Sequence, residues 1–176
     1  NKKGIHIMQE LEAMYPEDKK ECYQLICAQL KSMLENEYHI ISNLSNASAL
    51  LNLALRDINW VGFYLLEGDE LHLGPFQGKP ACMHIKVGKG VCGTAVAEGK
   101  TQLVKDVHAF PGHIACDSAS NSEIVIPIRK NGNIIGVLDI DSPSIGRFDT
   151  IDQEGLEEVV RILEENLKDS YIKLDL

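Results

Sequence analysis

The chain has no apolar run approaching the ~20 residues that cross a bilayer, so a membrane-spanning helix is not expected. Basic residues are in short supply, with 17 Lys and Arg against 26 Asp and Glu and a formal net charge of -9. That balance repels a phosphate backbone, and nucleic acid is not expected as a partner. Residues 1–10 lack the long apolar core of a signal peptide, and the Asn1 start reads as a lost initiator Met or trimming. The expectation is therefore a cytoplasmic protein. Low-complexity segments, internal repeats and domain linkers are also missing.

What is present is an ordinary globular balance, 44% hydrophobic and 24% charged over 176 residues. This suffices for one domain that buries roughly 70% of its unfolded surface. Two amphipathic stretches come first. Pro16 and Glu17 open a predicted helix with apolar Cys22, Leu25, Ile26, Met33 and Leu34, ending near Asn36. A second runs through Ile41, Leu44, Ala47, Leu51, Ala54 and Leu55.

From Asn59 the period changes. Trp60, Val61, Phe63, Tyr64 and Leu65 read as a buried strand, and Gly68-Asp69 turns it into a partner carrying Leu71, Leu73 and Phe76. A second hairpin is predicted around Asn131-Gly132, between strands at 123–130 and 133–141. A short helix over 90–99, a short strand over 102–104, an irregular segment over 108–121 and a final helix over 151–167 complete the pattern. Asp149, Thr150 or Asp152 can cap that last helix. The order implies an α+β fold with a central antiparallel sheet flanked by helices.

Five cysteines make an odd number, which argues against a disulfide framework where thiols are kept reduced. Cys22 and Cys27 lie in a helical pattern and read as small core hydrophobes. Cys82, Cys92 and Cys116 share the long middle segment, and three thiols there point to redox chemistry or a metal. His84, His108 and His113 accompany them, but the spacing shows no close ligand pair of a structural zinc site, and no metal is expected. Gly88, Gly90 and Gly93 match a dinucleotide-binding pattern without the βαβ unit it requires, and read better as a tight turn near a ligand. Asp139 and Asp141, two apart on a strand, either face solvent, the commoner case, or share a pocket that raises at least one pKa.

The motif Asn59-Trp60-Val61-Gly62-Phe63-Tyr64, followed by 74–82 (Gly-Pro-Phe-Gln-Gly-Lys-Pro-Ala-Cys), resembles the free methionine-(R)-sulfoxide reductases. The stretches 88–95, 111–117, 122–125 and 136–141 continue the resemblance in the same order, over about Ile41 to Phe148. It implies a single GAF-like domain over 1–176, with an N-terminal helical segment over 1–36 and a core over 41–167, and homodimers are common among such proteins. Carried over residue by residue, it makes Cys116 the nucleophile, Cys82 its resolving partner and Cys92 a third thiol of less defined role. Trp60 and Tyr64 would line a pocket for free methionine sulfoxide, and Glu123, Asp139 and Asp141 would hold its ammonium and sulfoxide groups. No bound cofactor is implied; thioredoxin, fed by NADPH, would be the external reductant.

One carry-over conflicts with strand geometry. A strict two-residue turn at Asn131-Gly132 pairs Glu123 with Ile140, on the face opposite Asp139 and Asp141. Either a bulge near Pro127 shifts the register, or Glu123 lies beyond the strand. Two rival functions share the pattern: a GAF ligand sensor, usually joined to an output domain for which this length leaves no room, and a reductase of peptide-linked sulfoxide, which needs an open groove.

Overall fold

The computed structural model describes residues 14–114 and 116–168. Residues 1–13, within the expected N-terminal helical segment, lie outside them. Helix α1 (Lys19–Leu34) is followed by α2 (Ile40–Ala54), strands β1 (Trp60–Glu67), β2 (Glu70–Gly78) and β3 (His84–Lys86), and helix α3 (Gly90–Glu98). Strand β4 (Gln102–Val104), a 3₁₀ turn (Val107–Ala109), β5 (Ser122–Lys130), β6 (Asn133–Ser142) and α4 (Thr150–Lys168) follow among the described residues. The six strands form one antiparallel sheet in the order β3-β2-β1-β6-β5-β4.

Helix α1 begins two residues later than Pro16-Glu17 suggests, because Asp18 takes the N-cap and accepts a hydrogen bond from the Glu21 N–H at 3.0 Å. Its buried face also differs from expectation. Tyr23 and Leu30 turn inward beside the expected Cys22, Ile26 and Cys27, whereas Met33 is exposed; in α2 Ile40 is buried and Ile41 exposed. Helix α4 opens with a capping box: Asp149 accepts from the Asp152 N–H, and the Asp152 carboxylate accepts from the Asp149 N–H, both at 3.0 Å.

Both hairpin turns fall where the sequence puts them. Gly68-Asp69 joins Glu67 to its partner Glu70, and Asn131 and Gly132 both carry positive φ, 52° and 82°, as a two-residue turn of this hand requires. Pairing then departs from regularity. Arg129 faces Ile134, but Ile128 faces Gly136, so Ile135 on β6 is an extra residue. This bulge lies one step from Pro127 and moves every pair beyond it by one. A second bulge at Gly74-Pro75 on β2 absorbs a proline that a regular ladder would exclude.

The sheet is apolar on one face. Val61, Phe63, Ile124, Ile126, Leu138 and Ile140 are buried there beneath α1, α2 and α4, and Cys22 and Cys27 belong to this core as small buried side chains. Helix α1 packs on α4, α4 on β5, and α2 on β1 and β2, so α1 is part of the same core as the segment over 41–167. The other face meets α3 and carries a smaller apolar cluster around Trp60, Tyr64, Val91 and Cys92.

Candidate active site

Alternation along three neighbouring strands builds the site. On β1, Trp60 and Tyr64 point to the α3 side; on β6, Asp139 and Asp141 do the same, with Asp141 opposite Trp60 and Asp139 opposite Gly62. The bulge at Ile135 brings Glu123 opposite Asp141 instead of Ile140, so all three carboxylates share one face. Of the two alternatives raised by the register conflict, the structure takes the bulge.

Above this face lie the first turn of α3, carrying Cys92, and the loop from Phe110 to Ser120, carrying His113 and Cys116. Together with the segment before β3 they enclose a small cavity of about 40 Å³, room for a few water molecules. Trp60, Tyr64, Cys92, Cys116, Glu123, Asp139 and Asp141 all line it. Cys82 lies against the same cluster and is joined to Cys116 by a disulfide, with Cα atoms 5.5 Å apart. Cys92 stays a free, buried thiol.

The aromatic residues do more than line the wall. Trp60 stacks between Tyr64 and Phe76, with ring centroids 5.9 and 5.3 Å away, and its indole N–H donates to the Lys79 carbonyl at 3.1 Å. The Tyr64 hydroxyl donates to the Cys82 carbonyl at 2.9 Å. Both therefore hold the segment that carries Cys82. The packing depends on Gly62, where a Cβ would lie 2.3 Å from the Phe76 Cβ and 2.8 Å from the Trp60 ring.

On the other side, Asn59 donates to the Asp117 carboxylate at 3.2 Å and to the Ser120 hydroxyl at 3.1 Å, tying the Cys116 loop to the start of β1. Asp117 also accepts from the Ala119 N–H, which lowers its pKa. Asn59, His113, Asp117 and Ser120 escaped the sequence reading as site residues. Asp117-Ser-Ala at 117–119 is an Asx-turn pattern that could have signalled the loop's anchor.

Charge in the pocket is one-sided. Glu123 and Asp139 are each 6% exposed. Their burial raises the pKa of Asp139 to about 6 and that of Glu123 well above the usual carboxylate range, the latter pushed further by Asp139 and Asp141. Burial and then Asp139 likewise raise Asp141. The solvated reading is thus corrected for Asp139, whose face of β6 is covered by α3 and the Cys116 loop, while Asp141, nearer the strand end, is half-buried. Burial, then Asp139 and Glu123, also push up the Cys92 thiol. His113 lies 3.8 Å from Glu123, and burial lowers its pKa, favouring the neutral imidazole. No Lys or Arg lines the cavity among the described residues, and one Asp139 oxygen is buried without a hydrogen-bond partner.

Such a pocket suits a small ligand that brings its own positive charge and donors. Cys92, Glu123 and Asp139 also present donor atoms within 4.8 Å of one another, a set that could hold a metal ion. The glycine motif over 88–93 performs as a turn: the Gly88 N–H donates to the Gly93 carbonyl at 2.8 Å, and α3 follows β3 within an antiparallel sheet that has no βαβ unit among the described residues.

The GAF domain model matches residues 47–167. A free methionine-R-sulfoxide reductase of Escherichia coli is 54% identical over 150 residues, covering 85% of this chain and 91% of that one. The chain belongs to the GAF domain family, among the free methionine-R-sulfoxide reductases. It is therefore an oxidoreductase. The structure of fRMsr of Staphylococcus aureus in complex with substrate is 62% identical, with a TM-score of 0.80 over 82% of this chain and 95% of that one. The free methionine-R-sulfoxide reductase of Neisseria meningitidis, solved in complex with its substrate, is 45% identical, with a TM-score of 0.84 over 87% of this chain and 92% of that one.

Proposed function

We propose that this chain reduces free L-methionine-(R)-sulfoxide to methionine, with Cys116 as nucleophile, Cys82 as resolving cysteine and thioredoxin as external reductant. The observation that carries the reading is the convergence of the Cys82–Cys116 disulfide with three carboxylates, two of them buried, on one small cavity.

In the reaction, the Cys116 sulfur attacks the sulfoxide sulfur. The sulfoxide oxygen passes to Cys116 as a sulfenic acid, and methionine leaves with its sulfur reduced. Cys82 then attacks the sulfenic sulfur, releasing water and forming the disulfide. A dithiol such as thioredoxin takes the oxidising equivalents and returns both thiols. The oxygen must be protonated as it departs, and Glu123 or Asp141, whose pKa values desolvation and the neighbouring carboxylates push up, supplies the proton.

The carboxylates also explain selectivity. A free amino acid carries an ammonium that offsets the pocket's charge, whereas a peptide-linked residue has none and would need an open groove. Trp60 and Tyr64 provide the wall against the side chain, and Cys92 is a third thiol held in reserve beside Asp139. Cytoplasmic location fits the need for a reducing partner, and a homodimer rests on the family resemblance alone.

The test is NADPH consumption coupled through thioredoxin and its reductase, with free R sulfoxide, free S sulfoxide and an N- and C-blocked R form. Turnover confined to the free R isomer is expected. Equal turnover of the blocked form would overturn the ammonium argument, and no turnover of any form would leave a binding pocket instead of an enzyme.

A further inference from the structure

Outside the active site, strands β2 and β3 bring three metal-binding side chains to one patch. His72 and His84 are direct partners across the two strands, and Glu70, two residues before His72, lies on the same face. The two imidazoles meet edge to face with centroids 4.9 Å apart. One Glu70 oxygen faces both rings, 3.0 Å from His84 Nδ1 and 3.8 Å from His72 Nε2. The other Glu70 oxygen is taken by Lys86 at 3.1 Å.

We propose that Glu70, His72 and His84 form a binding site for a zinc-type divalent transition-metal ion, which fastens β3 to β2. The donor atoms lie within 4.8 Å of one another. A tetrahedral ion about 2.0–2.1 Å from each ligand wants its donors roughly 3.3 Å apart, so small side-chain rotations suffice. Two imidazoles and one carboxylate select zinc, copper or nickel over magnesium and calcium, which prefer all-oxygen sets. Three protein ligands leave a position for water. Sequence spacing gives no hint of this site, since twelve positions separate the histidines and only the strand pairing joins them.

The site has a structural consequence because β3 is short and continuous with Cys82. Three register pairs hold it to β2. An ion bridging His72 and His84 adds a cross-strand link two residues from Cys82 and slows opening of the segment that presents it.

The test uses the full chain in its disulfide form. Zn²⁺ is titrated by calorimetry while the ring nitrogens of the histidines are followed by NMR, and amide exchange over residues 82–86 is measured with and without Zn²⁺. One ion per chain is expected, with His72 and His84 shifting together and exchange over 82–86 slowing. His84→Ala and His72→Ala should each weaken binding at least tenfold, and Lys86→Met should strengthen it severalfold by releasing Glu70. Mg²⁺ should not compete. Absence of binding, or binding that survives both histidine variants and falls instead with Cys92→Ser, would overturn the proposal. Because no catalytic group is changed, sulfoxide turnover by metal-free His84→Ala should equal that of the metal-free parent, which separates this site from the proposed function.

Discussion

The two faces of the central sheet are built from alternate residues of the same strands, yet they obey opposite rules. Leu138 and Ile140 point to the helices and are fully buried among apolar side chains. Asp139, between them, points to the pocket, where burial raises its pKa and leaves one oxygen unpartnered. The helix face stabilises the fold by removing apolar surface from water. The pocket face gives up stability to hold carboxylates in a dry place, where their protonation state can serve chemistry. A shift of one residue separates the two outcomes, and the bulge at Ile135 decides which of them Glu123 joins.

The sharpest way to break this comparison is Cys116→Ser, which should bring thioredoxin-coupled turnover to background while the urea midpoint stays close to that of the reduced parent. Deleting Ile135 tests the origin of the register. It removes the extra residue, so regular pairing from the turn still puts Ile128 opposite Gly136 and Glu123 opposite Asp141, and fold and turnover should both survive. Loss of turnover in a folded Ile135 deletion would show that the carboxylates need more than this register.

A gentler pair of variants compares neighbours. Leu138→Ala should destabilise by about 2–5 kcal/mol with little change in turnover at a temperature where it remains folded. Asp139→Asn should do the reverse, cutting turnover strongly without loss of stability at neutral pH. The smallest effect is in pH dependence. The Asp139 pKa rises from about 4 in the unfolded chain to about 6 in the fold, so the native state holds its proton more tightly. Its contribution to stability is complete below about pH 4 and is lost as pH rises through about 6, a difference of roughly 3 kcal/mol. Glu123 and Asp141 shift in the same direction. Chemical unfolding of the reduced protein between pH 4 and 8 should show falling stability, and Asp139→Asn should flatten the slope. A parent whose stability rises over that range would contradict the buried-carboxylate picture.

Local chemistry made much of the fold legible in advance. Gly68-Asp69 and Asn131-Gly132 marked both hairpins, because their backbone demands are met within two residues. Strand β4 and helix α3 were bounded closely for the same reason, with Gly99 ending the helix at a φ of 63°. The family motifs pointed to Trp60, Tyr64, Cys116, Glu123, Asp139 and Asp141, and these converge on one cavity. What stayed hidden depends on distant partners. Strand β3 has only three residues and exists because Leu71 and its neighbours pair with it. The depth of Asp139 follows from α3 and the Cys116 loop covering that face of β6, and the turn from Met33 to Leu30 as the inward position of α1 follows from how α1 lies on α4. The place of the bulge is similarly non-local: the register conflict allowed either a bulge near Pro127 or a Glu123 beyond the strand, and nothing in 133–136 selects Ile135.

The central claim is that Cys116 and Cys82 act as a pair in the pocket face. Its most direct test is a reductant-free single turnover of fully reduced protein, counting methionine released and free thiols lost, with the new disulfide located by mass spectrometry. The account predicts one methionine per chain from free R sulfoxide, two thiols lost, and a Cys82–Cys116 link, with none of these from the S isomer. Methionine release with Cys82 still free, or with Cys92 linked to Cys116 as the first product, would contradict it.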